Sequence, residues 1–583
     1  MFSFVPKFVN HISDWFFGPQ PDPHGFVHNY KFLGYAKPNP FQRRNETLYS
    51  NYQTVVYKAL RENLLGYDCE YIINGFHHPA ATMDSVLDSM RKGDIPDHPI
   101  PMDDHFDRAR LETFNRFKPP QLIRPVHFAD LRKYNWNWHP NVEEPFYSDQ
   151  ELRTAVQQAH AAGILPDARM SFGNLKNVVF IRVRELLHYI KRNQLTNHRL
   201  LYPIMNLHVK PALTSVDDFK VRNIYGVTKI HVLPSAMFFW PLFRYYLDNR
   251  DDSPLLWGFE TILGGMQMLN SMYLLSRLYY STYVTVDWSG FDYRAYFSII
   301  NNVIQHDCRK FFDFHNGYIP TKFYHSSEAD PEHLENLWNW IWTAINKMPV
   351  RLPDGTLYQR IHAGIASGLF TTQFLDSWYN ALMILTVLDA MGFDISTVSL
   401  RVQGDDSIIA LIFHIPSSEH IAFKEKFAAL ALYYFNHIAR SEKNKVTNDT
   451  QGVEVLGYTN DNGYPRRDWR KLLAQLYHPR DNNPTFQRLK AKVCGFAYAS
   501  MYADREVINV LKSIWDYLDS IGIKADLLPL QRDIILHSEE NFEVPTDHFP
   551  TMEEVTQYLR VPKRRTAADS EAYFPMSHFM SHF

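Results

Sequence analysis

Residues 398–412 read VSLRVQGDDSIIALI, two short apolar runs joined by Gly404-Asp405-Asp406. Short apolar runs on either side of a glycine-containing turn predict a β-hairpin. The acidic pair alone is weak evidence of function, because a chain of this length should contain Gly-Asp-Asp by chance on the order of one time in ten. The simplest alternative is a solvated turn, since Gly and Asp are both favoured turn residues.

A second acidic pair lies upstream of this hairpin. Residues 283–286, YVTV, are β-branched and aromatic and predict a strand that ends at Asp287, with Asp292 five residues further on. Carboxylates from separate strand ends can converge to hold two Mg²⁺ ions about 4 Å apart, one activating the attacking hydroxyl and one stabilising the leaving oxygen. The two acidic pairs together therefore predict the phosphoryl-transfer site of a nucleic-acid polymerase.

Between the two acidic pairs lies a loop followed by a predicted helix. Residues 363–368 are small, so the backbone there can approach a ligand closely. Apolar residues recur at helical spacing from 371 to 391 and predict a buried helix face. Thr372, Asp376 and Asn380 recur every four residues and form one polar stripe on that helix. The stripe is either a solvated helix face or a face turned toward a substrate cleft.

In their order along the chain, these elements resemble palm motifs A, B and C of the viral RNA-dependent RNA polymerases. The likeness extends to the partitiviruses, small bisegmented double-stranded RNA viruses, whose motif F and motif E regions resemble residues 221–229 and 454–467. The chain has Asp376 where motif B commonly has Asn. The matching residues are Asp287 and Asp292 for motif A, Ser367, Gly368, Thr372 and Asp376 for motif B, and Gly404-Asp405-Asp406 for motif C.

The resemblance implies a role for each acidic residue. Asp287 and Asp405 are expected to be the principal ligands of two Mg²⁺ ions, with Mn²⁺ as an alternative metal and Asp406 as a weaker ligand. Asp292 is expected to recognise the ribose together with Asp376. Two close carboxylates repel each other unless a proton or a cation lies between them. The remaining motif B residues are expected to position the template or to share in sugar recognition: Ser367, Gly368, Thr372 and Asn380.

Cationic side chains are expected to bind the triphosphate. The candidates in or near the motif F segment are Lys210, Lys220, Arg222 and Lys229. Arg222 ranks first, because a guanidinium binds phosphate oxygens with two donors at once. A solvated basic strand is the alternative for Lys210 and Lys220. Lys443 resembles the motif D lysine, which would protonate the departing pyrophosphate, although Lys445 is only two residues away.

The resemblance implies an α+β fold, a right-hand polymerase with fingers, palm and thumb and an antiparallel palm sheet. The expected divisions are an N-terminal arm and fingers over 1–275, palm with motif A over 276–300, a fingers insertion over 301–360, palm with motifs B to E over 361–475, and thumb with the C-terminal segment over 476–583.

Composition restricts the setting in which the chain works. Its formal net charge of −3 over 583 residues predicts a local basic tunnel rather than a basic exterior. Three cysteines without zinc spacing argue against a disulfide framework and fit a reducing compartment. We find no secretory signal and no membrane-spanning stretch. The expected partners are RNA template and product, NTPs and a viral capsid protein, and the expected location is the virion interior, in the host cytoplasm.

Two other functions remain open at this point. The first is a reverse transcriptase or another palm-domain polymerase, which primer extension on RNA and DNA templates would distinguish. The second is a non-catalytic virion protein that binds RNA, although such a role gives no reason to gather carboxylates beside an anionic ligand.

Overall fold

The computed structural model describes residues 21–195, 202–219, 221–275, 279–326, 328–526 and 544–580. The first twenty residues of the expected N-terminal arm lie outside this part of the chain, as does the candidate Lys220.

Helices form most of the regular structure around several small sheets. The α-helices are Glu46–Asn63, Gly66–Asn74, Met83–Arg91, Asp104–Phe117, Gln150–Ala161, Phe172–Lys191, Lys229–Asp248, Gly265–Leu275, Phe297–Ile299, Gln305–Arg309, Pro331–Lys347, Thr372–Ala390, His420–Phe435, Trp469–Tyr477, Phe486–Ser500, Arg505–Ser520, Met552–Arg560 and Ala567–Tyr573. A π-helical turn spans Ile300–Ile304, and 3₁₀ turns span Phe128–Lys133, Thr261–Leu263, Asp292–Arg294, Ile395–Thr397 and Ser417–Glu419.

The strands are short. They are β1 Tyr30–Tyr35, β2 Phe76–His77, β3 Met205–Pro211, β4 Thr214–Ser215, β5 Val221–Gly226, β6 Thr282–Thr285, β7 Trp288–Ser289, β8 Val350–Arg351, β9 Thr356–Arg360, β10 Ser399–Gln403, β11 Asp406–Leu411, β12 Ile438–Ala439, β13 Lys445–Thr447, β14 Glu454–Val455, β15 Tyr458–Asp461 and β16 Tyr464–Arg466. All pairings between them are antiparallel except that of β3 with β8.

The sheet that positions the site has the strand order β10-β11-β6-β13. Its side chains alternate between two faces, as the period of a strand requires. Tyr283 and Ile408 pack on one face with helix Gly265–Leu275, whereas Val284 and Ile409 join the main core on the other. Because both faces are covered by apolar side chains, β6 and β11 are held firmly at the centre of this region.

Helix Thr372–Ala390 covers the main-core face of this sheet. It packs against β10 and against the helices Asp104–Phe117 and His420–Phe435. Every residue from Phe374 to Asp389 is buried. The predicted helix over 371–391 is therefore confirmed almost to the residue, as is the predicted hairpin of β10 and β11.

A second hydrophobic core joins the two ends of the chain. Tyr52 and Val56 of helix Glu46–Asn63 pack there with residues of the helices from Trp469 to Ser520. The Tyr52 hydroxyl also donates to the Leu476 carbonyl over 2.9 Å. Residues near the N-terminus therefore bridge to the C-terminal part of the fold, which helical periodicity alone could not indicate. Across the described ranges, no helix is long and apolar enough to cross a membrane.

Candidate active site

The hairpin turn that carries Asp405 is clamped by the helix beneath it. Gln403 and Asp406 form the last strand pair, so Gly404 and Asp405 make a two-residue loop, and Gly404 has the left-handed φ of +62° that favours glycine. The Gly404 N–H donates to Ser377 Oγ over 2.8 Å, and its carbonyl accepts from Asn380 Nδ2 over 3.0 Å. Helix Thr372–Ala390 therefore fixes the position of the turn.

The same helix also fixes motif A. The Trp288 indole Nε1–H donates to Asn380 Oδ1 over 3.0 Å. Asn380 is fully buried, and its amide joins the residue after Asp287 to the turn before Asp405. This contact gives Asn380 a positioning role, and the share in sugar recognition that the resemblance implies for it stays a prediction.

Asp287 lies two residues beyond β6, in a loop held by the segment after β12. Its backbone N–H donates to Asn444 Oδ1 over 2.8 Å, and its carbonyl accepts from the Arg440 N–H over 2.9 Å. Its carboxylate forms an ion pair with the Arg440 guanidinium. Sequence reasoning named neither Arg440 nor Asn444.

Asp292 begins a single 3₁₀ turn, and its carbonyl accepts from the Ile365 N–H over 2.9 Å. Water reaches the Asp292 side chain, but protein surrounds it on most sides. The pKa of this carboxyl is raised to about 7, by burial first and then by the charge of Asp405, while Arg222 opposes the rise. Asp292 therefore lies within electrostatic range of both the hairpin turn and the motif F strand.

Asp406 shows the same effect. Its pKa is raised to about 7 by burial first, and then by the charges of Asp405, Glu454 and Asp287, while Arg222 lowers it. The two acidic pairs that lie far apart in the sequence are thus gathered into one cluster. Arg222 is the cation that faces this cluster from β5.

Asp376 is buried, with its side chain 5% exposed, so the alternative of a solvated helix face is wrong for this position. Burial, followed by the charges of Asp292 and Asp405, holds the pKa of Asp376 well above its usual range. Its Oδ1 has no hydrogen-bond partner within the described residues. A neutral carboxyl group beside Asp292 meets the sequence-based condition that a proton or cation separate the two.

The loop before the helix lies against the motif F strand. The Tyr225 N–H donates to Ser367 Oγ over 3.2 Å. A Cβ at Gly368 would lie only 2.1 Å from the Tyr225 carbonyl oxygen, so this position requires glycine. The Thr372 hydroxyl lies 2.7 Å from the Ala366 carbonyl oxygen and holds the loop to the helix. The small residues of 363–368 thus allow two backbone segments to meet.

The candidate cations occupy different places. Lys210 of β3 lies directly opposite Arg222 of β5, and both are exposed. Lys229 instead lies 5.1 Å from the centre of the Phe172 ring, beside Glu143, and burial lowers its pKa. Neither neighbour of Lys229 belongs to the acidic cluster, so the geometry does not support a triphosphate contact there.

The two candidate motif D lysines are separated by their contacts. Lys445 Nζ lies 3.2 Å from Glu454 Oε2, in an ion pair. The side chain of Lys443 is exposed, and its backbone N–H donates to the Arg440 carbonyl in a turn. Lys443 is therefore the better placed of the two to reach a ligand.

The donor set suits a hard divalent cation completed by substrate. Within the part of the chain that the structure covers, no three carboxylate, imidazole or thiolate groups stand close enough to hold one ion alone. Mg²⁺ is usually bound by one or two carboxylates together with substrate phosphates and water. Asp287, Asp405 and Asp406 supply carboxylate oxygens of the kind required, and their mutual repulsion is the feature that a cation relieves.

Ser377, Arg440 and Asn444 are the positioning residues that the sequence reasoning missed. Ser377 is three residues from Asn380, so both lie on the helix face toward the turn, a spacing that could have indicated it. Arg440 and Asn444 contact Asp287 across more than 150 residues, for which the local sequence carries no signal.

Comparisons with known proteins show the family to which the chain belongs. Residues 182–518 match the model of the family described as "Viral RNA-dependent RNA polymerase". The RNA-directed RNA polymerase of White clover cryptic virus 1 is 31% identical, and the match covers 98% of each chain. That of Atkinsonella hypoxylon virus is 27% identical over 78% of this chain and 74% of its own. The reverse-transcriptase and non-catalytic alternatives receive no support, and the chain belongs to the viral RNA-dependent RNA polymerases.

Proposed function

We propose that this polymerase transcribes and replicates the genome of a double-stranded RNA virus by nucleotidyl transfer at a two-metal site. The observation that carries the proposal is the convergence of Asp287 and Asp292 with Asp405 and Asp406 within the electrostatic range of the cation Arg222. A polymerase must hold an anionic substrate against carboxylates, and this arrangement places both kinds of charge together.

Asp287 and Asp405 would hold two Mg²⁺ ions, with Asp406 as a weaker ligand and Mn²⁺ as an alternative metal. Bound metal supplies charge neutralisation at the attacking and leaving oxygens. This assignment is supported by the carboxylate chemistry of the site and by the general use of divalent metals in the family.

The side chains around the metals would position the nucleotide. Arg222 and Lys210, paired across β5 and β3, would bind the triphosphate, and Lys443 would donate a proton to the departing pyrophosphate. Asp292 would accept a hydrogen bond from the ribose, with neutral Asp376 as its donor-capable neighbour. Ser367 and Gly368, in contact with Tyr225, would align the ribose with the template strand.

We propose the right-hand arrangement for the fold. The sheet β10-β11-β6-β13 with helix Thr372–Ala390 is the palm, within 276–300 and 361–475, and 301–360 returns to the fingers. The thumb and C-terminal segment follow from 476. Fingers occupy most of 1–275, and helix Glu46–Asn63 would tie them to the thumb, because it shares a core with helix Arg505–Ser520.

Asp405→Asn tests the site. The amide is a poorer ligand for a hard cation, so the purified variant should no longer incorporate NTPs on an RNA template. Its melting temperature should stay close to that of the parent. Asp516→Asn, an exposed aspartate paired with Lys512, serves as the matched control and should keep full activity. Parent-like turnover by folded Asp405→Asn would refute the two-metal assignment.

A capsid protein is the further partner that we propose, and the virion interior, in the host cytoplasm, is the location. This part of the proposal is supported only by the resemblance to the partitiviruses. Co-sedimentation of polymerase activity with purified particles would support it, and activity found only in the particle-free fraction would contradict it.

A further inference from the structure

Arg440 lies at the centre of a segment that wraps around Asp287. On one side β12 pairs with β7, placing Ala439 opposite Trp288, and on the other β13 pairs with β6. Between these pairings, the Arg440 N–H donates to the Asp287 carbonyl and Asn444 accepts from the Asp287 N–H. The backbone of the segment thus brings the Arg440 side chain to the Asp287 carboxylate.

Hydrogen bonds hold the Arg440 guanidinium beside Asp287. Its Nη2 donates to Asp287 Oδ1 and also lies 3.3 Å from the Trp288 carbonyl oxygen. Its Nε is buried without a hydrogen-bond partner in the described part of the molecule. The two paired side chains are 31% and 37% exposed, so water screens the pair only in part. The contacts of Nη2 therefore hold the guanidinium at the Asp287 carboxylate.

Asp287 belongs to the acidic cluster. Its charge acts on Asp406, and the charge of Asp405 acts on both Asp292 and Asp406. Arg222 opposes the repulsion at Asp292 and Asp406 from the β5 side. Arg440, unlike Arg222, forms an ion pair with Asp287 directly.

We propose that Arg440 is a built-in counter-cation for Asp287, which stabilises the metal-free site and lowers the affinity of Asp287 for divalent metal. The inference rests on the proposed role of Asp287 as a metal ligand. A guanidinium hydrogen-bonded to a carboxylate reduces the charge available to a metal, and it repels a second cation that approaches the same group. Arg440 is therefore a positioning residue, whose effect is exerted through Asp287.

Arg440→Gln tests the proposal without nucleotide or RNA. The variant should melt at a lower temperature than the parent in EDTA, and saturating Mg²⁺ should raise its melting temperature more than it raises the parent's. In isothermal titration calorimetry the dissociation constant for Mg²⁺ should fall by about three- to fivefold. A change of this size is expected when a partly exposed ion pair no longer competes with the metal. Arg440→Lys keeps the charge and should remain near the parent. Arg466→Gln, which breaks the similarly exposed pair with Asp461, should not change Mg²⁺ binding.

A double variant keeps the test decisive if Arg440→Gln folds poorly. Adding Asp287→Asn removes the carboxylate that Arg440 neutralises, so Arg440→Gln/Asp287→Asn should melt above Arg440→Gln in EDTA. Unchanged Mg²⁺ affinity in folded Arg440→Gln, or weaker affinity, would overturn the proposal. Failure of the two-metal site would appear differently, as a parent protein that does not titrate with Mg²⁺ and an Asp405→Asn variant that remains active.

Discussion

The amide of Asn380 offers the sharpest test of how this site is built. It accepts from Trp288 Nε1 over 3.0 Å and donates to the Gly404 carbonyl over 3.0 Å, with a longer approach of 3.5 Å to the Asp406 carbonyl. Asn380→Ala would leave the Trp288 donor and the Gly404 carbonyl without their partner in a fully buried place. Each such group costs about 1–3 kcal/mol, so we expect the two to lower the free energy of unfolding by about 2–6 kcal/mol.

The same substitution should lower kcat, because the two chain segments that carry Asp287 and Asp405 lose their common link. Denaturant unfolding and steady-state incorporation on an RNA template measure the two effects. A positioning role predicts that stability and kcat fall together while the preference for NTP over dNTP stays unchanged. Asn380→Asp keeps the acceptor for Trp288 but places a carboxylate against the Gly404 carbonyl, so it should lose activity as well.

Thr386→Val is the matched control for this experiment. Thr386 is fully buried on the same helix, and its hydroxyl donates to the Leu382 carbonyl of that helix over 2.7 Å. The control should keep its kcat. A folded Asn380→Ala variant with parent-like kcat but altered sugar preference would refute the positioning role and restore the sugar contact suggested by the sequence.

Two further substitutions test the nucleotide contacts. Asp376→Asn should keep activity, because an amide resembles a neutral carboxyl. Its advantage in melting temperature over the parent should grow as pH rises, because a raised pKa means that the parent loses stability when Asp376 ionises. Asp376→Ala should raise dNTP use relative to NTP use, and an unchanged ratio would contradict the role. Arg222→Ala should raise the KM for NTP by about tenfold or more, and Lys210→Ala serves as the comparison. RNA affinity is measured at fixed salt for both variants. A loss of RNA affinity with a parent-like KM would place Arg222 on the template path instead.

The parts of the fold that depend on local pattern were predictable from the sequence. The hairpin around Gly404 and the helix over 371–391 follow from alternation, turn chemistry and helical periodicity within short windows. The predicted strand before Asp287 is also present, one residue earlier, as β6. These signals needed no knowledge of how distant segments meet.

Contacts between distant segments were not predictable in the same way. Lys229 is only seven residues from Arg222, yet β5 ends at Gly226 and a helix begins at Lys229, which brings Lys229 to Phe172 instead. That helix contains Pro234 and Pro241, which local propensity would exclude, but its burial in the main core outweighs the lost hydrogen bonds.

The departure of Asp376 from the common asparagine has a physical explanation in this site. Burial, followed by the charges of Asp292 and Asp405, raises the pKa of Asp376, so its neutral form is favoured. A neutral carboxyl offers an O–H donor beside a carbonyl acceptor, where an amide offers an NH₂ donor group beside a carbonyl acceptor. Burial and the charges that would repel an ionised Asp376 therefore both favour the form that can replace asparagine. On the proposed role of Asp376, the substitution would keep a donor and an acceptor at this position of motif B.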